Sequence, residues 1–112
     1  MASVTRTATI AESGNLSNAV TIDESMLLGL VLPSSWTTAD LTLQASADGT
    51  NFANVYDAAG TEVTIKAAAS RYVTLDPASF AGMTAIKLRS GTSGSPVNQG
   101  GERSITVVVL AD

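Results

Sequence analysis

The sequence predicts an all-β fold, an antiparallel β-sandwich of jelly-roll or related topology, and three observations carry that reading. Apolar residues recur with a period of two through short runs. Turn residues punctuate those runs at close spacing. The single alanine run, Ala67-Ala68-Ala69, is too short to nucleate a helix. We expect one domain over residues 1–112, about eight short strands and one short helical turn. A chain of this length buries about two-thirds of its unfolded surface in one core.

Residues 4–10 are a Thr-rich candidate strand, with Val4, Arg6 and Ala8 on one face and Thr5, Thr7 and Thr9 on the other. Neither face is strongly apolar, which suits an edge strand or an N-terminal arm (residues 1–10) laid on a partner. Glu12-Ser13-Gly14-Asn15 is turn chemistry, and a short strand follows around Ala19 to Ile22. Residues 26–32 are apolar on both faces apart from Gly29, the pattern of a central strand covered on both sides, and Pro33 ends them.

Residues 41–66 read as a three-stranded meander. Leu41, Leu43 and Ala45 alternate with Thr42, Gln44 and Ser46, and Asp48-Gly49 supplies a tight turn. Phe52 and Val55 resume the apolar signal, Asp57 to Gly60 turns again, and Val63 and Ile65 alternate with polar neighbours. A strand is expected at residues 71–75. Asp76-Pro77 then caps a helical turn whose Phe80 seats on the core. Ile86 and Leu88 point inward from the next strand, with Lys87 and Arg89 outward. Residues 91–101 form a long Gly/Ser/Asn loop, and residues 104–110, apolar on both faces, form a final central strand.

Composition narrows function by exclusion. The chain has no Cys and no His, which removes disulfides, thiolate metal sites, the commonest general base and the commonest transition-metal ligand. Net charge of −4 is the wrong sign for a phosphate-backbone footprint, so no nucleic-acid partner is expected. Charged residues make up only 14%, so Thr, Ser, Ala, Asn and Gly supply much of the surface. Such a surface is cheap to desolvate. It suits either an extracellular-type β domain or a chain packed among neighbours. No run reaches the ~18 apolar residues of a membrane span, and Met1 to Arg6 lacks a hydrophobic signal core. Production and use within the cytoplasm of the producing cell are therefore expected, with no membrane partner.

Candidate chemical sites are few. Asp23-Glu24 is the only adjacent carboxylate pair, and strand neighbours point to opposite faces, so it reads as a solvated turn. Asp40, Asp48 and Asp57 are turn residues by position, and no calcium-loop spacing surrounds them. Without His no Ser triad can be assembled, and no Ser-x-x-Lys occurs. Gly91-Thr92-Ser93-Gly94-Ser95 has the glycines of a phosphate cradle but not its Gly-Lys-Ser/Thr ending. Asn15-Leu16-Ser17 fits a glycosylation acceptor by chance. Trp36, the lone tryptophan, reads as closing the end of the core; its alternative is a sugar-stacking platform. No catalytic, cofactor or metal residue is assigned, and no enzymatic activity is expected.

Two segments resemble known families. Leu43-Gln44-Ala45-Ser46-Ala47-Asp48-Gly49-Thr50-Asn51-Phe52 is similar to the L-x-x-S-x-D-G-x-x-[FW] hairpin of discoidin-like and other carbohydrate-binding sandwiches. Ile86 to Thr92, Pro96-Val97-Asn98-Gln99 and the strand from Ile105 to Leu110 resemble the C-terminal half of small structural proteins of tailed bacteriophages and prophages. That resemblance implies a non-enzymatic virion protein, decorating or cementing a capsid by binding the major capsid protein lattice. Its alternatives are a neck or tail position and a discoidin-like carbohydrate-binding module built on Trp36 and the Asp48-Gly49 hairpin. A virion location, homo-oligomerisation and no cofactor follow as expectations. The expected partner contacts are Val4, Thr5, Arg6, Thr7 and Thr9 on the first segment, and Thr92, Ser93, Val97, Asn98 and Gln99 on the loop.

Overall fold

The computed structural model describes residues 2–23 and 26–111, and Glu24 of the carboxylate pair lies outside them. Among the described residues there are eight strands: β1 (Ala2–Ile10), β2 (Val20–Thr21), β3 (Met26–Val31), β4 (Leu41–Ser46), β5 (Ala53–Asn54), β6 (Tyr72–Thr74), β7 (Ala85–Ser90) and β8 (Arg103–Ala111). They form two four-stranded sheets, ordered β1-β8-β3-β6 and β2-β7-β4-β5. Every pairing is antiparallel. First strand pairs with last, second with seventh, third with sixth and fourth with fifth. That nesting is a long hairpin rolled upon itself, the topology of a jelly roll.

The core lies between the sheets. From the first sheet come Ala8, Ile10, Leu27, Leu30, Ile105, Val107 and Val109, and from the second Val20, Leu41, Leu43, Ile86 and Leu88. All are essentially inaccessible, so the period-two alternation converts directly into one buried and one outward face. The predicted cap also forms. Asp76 accepts a hydrogen bond from Ala78 N–H, Pro77 opens a 3-10 turn (Pro77–Phe80), and Phe80 is buried in the core.

Two expectations change. The third strand of the meander shrinks to two isolated bridges, Tyr56 with Glu62 and Leu41 with Ile65. Ile65 exchanges both backbone hydrogen bonds with Leu41, so the chain crosses the start of β4 instead of continuing beside β5. The runs read as covered on both sides, β3 and β8, are central in their sheet, yet their outward residues remain accessible. Met26 is 46% exposed.

Of the two readings of the N-terminal segment, edge strand and arm, residues 2–10 take the edge strand. Strand β1 pairs with β8 along its whole length, Ala2 opposite Ala111 to Ile10 opposite Arg103. Ala8 and Ile10 are fully buried, and half-buried Val4 packs against the core. The apolar area missing from the strand itself is supplied by its partner, because β8 presents Ile105, Val107 and Val109 on the same face. Deleting residues 2–9 is therefore expected to abolish cooperative folding, since it exposes a central strand and opens the core. Far-UV circular dichroism with urea titration checks this; a native-like transition in the truncated chain would restore the arm reading.

Candidate functional site

The two segments expected to touch partners are built differently. The loop at residues 91–101 is held by hydrogen bonds along much of its length. Its tip is a tight turn in which Thr92 and Ser95 exchange backbone hydrogen bonds, and Gly91 bridges to Pro96. Gly91 sits at φ +87, and a Cβ there would lie 2.6 Å from Ser95 O and 2.7 Å from Val97 N, so only glycine fits. The glycines thus serve a hairpin tip, not a phosphate cradle.

Gln99 leaves the expected contact set, because it is 1% exposed. Its Nε2 donates to Thr37 O (3.0 Å) and Ser90 Oγ (2.8 Å), while its Oε1 accepts from Thr37 N–H (2.8 Å) and Arg103 Nε–H (3.1 Å). Its backbone bonds Ser13 and Gly14. One residue, through its carboxamide and its backbone, thereby ties together four separate stretches at one end of the sandwich. Asn98 beside it is exposed and receives Asn15 Nδ2–H, while Thr92, Ser93 and Val97 are half-buried. A side chain this committed was invisible in sequence, where Gln99 stands in a run of small polar residues. Gln99→Ala is expected to cost about 2–3 kcal/mol, because it strands buried donors and acceptors. Chemical denaturation measures it; a cost under about 1 kcal/mol would mean that water replaces the amide.

The hairpin motif at residues 43–52 also turns inward on itself. Asp48 Oδ1 accepts from Thr50 N–H and Asn51 N–H (2.8 Å each) and from Ser46 Oγ–H (2.9 Å); Oδ2 accepts from Asn51 Nδ2–H (2.8 Å). Those bonds, led by the two backbone donors, hold the Asp48 carboxyl below the usual carboxylate range. Because the folded state binds the proton more weakly than the unfolded chain, the turn's stabilisation is present at neutral pH. It is lost only as pH falls through the depressed value. An NMR titration should place the Asp48 midpoint below the ordinary value of about 3.9. A midpoint at the ordinary value would mean that the turn opens in solution.

Trp36 packs against the core and donates its indole N–H to Ala39 O (3.1 Å), as a residue closing the end of the sandwich does. The acceptor triplet is committed internally too: Ser17 is buried and its Oγ receives Leu88 N–H.

The outward faces of the two sheets differ sharply. On the second sheet the segment after β5 folds back over β4 and β7. There Arg89, 7% exposed, donates to Asn54 Oδ1 (2.6 Å), Glu62 Oε2 (3.4 Å) and Thr42 Oγ1 (3.3 Å). Lys87 lies 4.5 Å over the Phe52 ring. This face is charged and largely covered by the chain itself.

Among the described residues the first sheet has no such cover, and the cross-strand rows of its outward face carry no charged side chain. One cross-strand row runs Thr5, Val108, Gly29, Thr74, and the next runs Thr7, Thr106, Val31, Tyr72. A third row is Ser3, Leu110 and Met26. The Tyr72 ring, 55% exposed, lies across Gly29, whose hypothetical Cβ would meet Tyr72 Cε1 at 2.8 Å. Exposed Thr5 and Thr7 share this face, while half-buried Val4 and Arg6 point inward; Arg6 Nε–H bonds Thr21 O on the facing sheet. The face is an uncharged patch of Thr, Val, Leu, Met and Tyr, the composition that desolvates at little cost. Of the β1 residues expected as contacts, Thr5 and Thr7 lie on this face and Val4 and Arg6 do not; β3 and β8 were read from their double-sided apolar character as covered.

No protein-family model matches the chain, and neither a curated protein nor a solved structure matches it.

Proposed function

We propose that this chain is a non-enzymatic structural protein of a bacteriophage virion, one that decorates or cements the capsid by contacting the major capsid protein lattice. The observation that carries it is the charge-free outward face of the first sheet. Strands β3 and β8 spend apolar residues on both faces while their own chain covers only one. A face of that kind gains by being covered, and few ions need to be stripped of water when it is.

The phage-like character of residues 86–110 supports the same reading. Jelly rolls serve capsids and lectins alike, so the fold itself does not choose between them. The carbohydrate alternative rested on Trp36 and the Asp48-Gly49 hairpin. It is disfavoured, since the indole packs on the core and the Asp48 oxygens accept bonds from within their own turn. A cementing role needs a rigid body and a weak contact repeated many times, where avidity raises the overall affinity. Neck or tail attachment would use the same face; we place the protein in the virion and expect self-association as well.

Val108→Glu is the test. The substitution adds a charge at the middle of the exposed face and leaves the inward rows intact, so the variant should fold. It should bind particles lacking the wild-type chain at least about tenfold more weakly, a charge stripped of water without a partner costing more than 1.4 kcal/mol. Co-sedimentation with such particles measures this, and undiminished binding would remove the face from the interface. Absence of the protein from purified virions would overturn the whole reading.

A further inference from the structure

We propose that the open edge of β1 is a self-association site, pairing antiparallel with β1 of a second copy across a two-fold axis through Thr5. The inference rests on the contact role proposed above and names one partner for it.

The orientation of the edge follows from Thr9. Its N–H donates to Asn18 Oδ1 (2.8 Å) and its C=O accepts from Asn18 N–H (3.3 Å), so its backbone groups point away from β8. In an antiparallel ladder that orientation alternates, so Thr7, Thr5 and Ser3 also turn N–H and C=O away from β8. After Asn18 the chain leaves β1 and enters β2, whose strand partner is β7. Among the described residues, no hydrogen bond reaches those outward groups of Ser3, Thr5 and Thr7. Strand β1 has no Pro, no Lys and no bulge; its one charge, Arg6, points inward and its Nε–H is taken up by Thr21 O, so it does not stand across the open edge.

Self-pairing selects one register. Outward residues must face outward residues, so the candidate axes pass through Val4, Thr5, Arg6 or Thr7; an axis through Val4 pairs Ser3 with Thr5 and leaves Thr7 opposite no residue of β1. An axis through Arg6 sets two arginines directly opposite each other, which is unfavourable. An axis through Thr7 brings Thr5 of the second copy against Thr9, which Asn18 already occupies. An axis through Thr5 sets Thr5 opposite Thr5 and Ser3 opposite Thr7, and sets Arg6 opposite Val4. Every outward group from Ser3 to Thr7 is then satisfied, and the hydroxyl pairs are favourable cross-strand neighbours. The contact is isologous, so it closes as a dimer instead of growing into a fibre. It also continues the charge-free face of the first sheet from one copy into the next. A second copy is the occupant argued for because β1 complements itself in length, polarity and charge.

Sedimentation of the purified chain across a concentration series tests this. The wild type is expected to show a reversible monomer–dimer equilibrium. Thr5→Lys and Thr5→Glu change an exposed side chain and should remain folded by circular dichroism. Each alone should dimerise at least about tenfold more weakly, because like charges meet at the axis. An equimolar mixture of the two should recover the dimer, a result that Thr5 facing Thr5 alone predicts. A monomeric wild type, a dimer indifferent to both substitutions, or a mixture without recovery would each overturn the proposal. A wild type that stays monomeric but takes up a strand from a capsid protein would assign the edge to that partner and overturn it equally. A wild-type monomer found in virions would refute the dimer and leave the functional reading standing, whereas a dimer missing from virions would do the reverse.

Discussion

Everything in this molecule depends on one pairing, that of β1 with β8. The two strands run antiparallel from Ala2 opposite Ala111 to Ile10 opposite Arg103, and between them lies nearly all of the chain. Closing so long a loop carries an entropic cost that only a complete set of intervening contacts offsets. Each inner pairing, β2 with β7, β3 with β6 and β4 with β5, shortens the loop that the next must close. Stability is therefore shared along the nested ladder, and little of it is local. A chain of this topology is expected to fold slowly for its size.

The same nesting explains where polar residues are buried. At the end of the sandwich where β1, β3 and β7 finish and β4 and β8 begin, several connections crowd together with backbone groups that no ladder satisfies. Gln99 and Arg103 meet that demand at Thr37 and Ser90. A carboxamide suits the position because it donates and accepts on one rigid plane. On the second sheet, buried Arg89 bonds buried Thr42, half-buried Glu62 and exposed Asn54, so its charge keeps partners on several sides. The buried charge is tolerated because those partners replace water.

The contrast between the two outer surfaces is the feature most relevant to function. One sheet is roofed by its own chain and carries the buried ion pair; the other presents threonines and aliphatic side chains without a charge among its cross-strand rows. With only 14% charged residues, the chain keeps most of its described charges in turns, in loops and on the second sheet, and the two on first-sheet strands, Arg6 and Arg103, lie on the inward side. The result is a molecule with one face suited to water and one suited to contact. Its open β1 edge borders that uncharged face, so in the proposed assembly edge pairing and face packing would reinforce each other.

Much of this was legible in the residues. Alternation in residues 41–46 and 85–90, the Asp48-Gly49 turn and the Asp76-Pro77 cap are local consequences of side-chain period and backbone preference. Sequence alone determines them, because the causes lie within a few positions of their effects. Tertiary structure alone decided the rest. Whether residues 2–10 were arm or strand depended on β8, about a hundred positions away. Whether the second apolar face of β3 and β8 was covered depended on which sheet received a roof. Whether Gln99 faced solvent depended on Thr37, Ser90 and Arg103 arriving together. A side chain's period tells which way it points, but what it points at is set by strands brought together from distant parts of the chain.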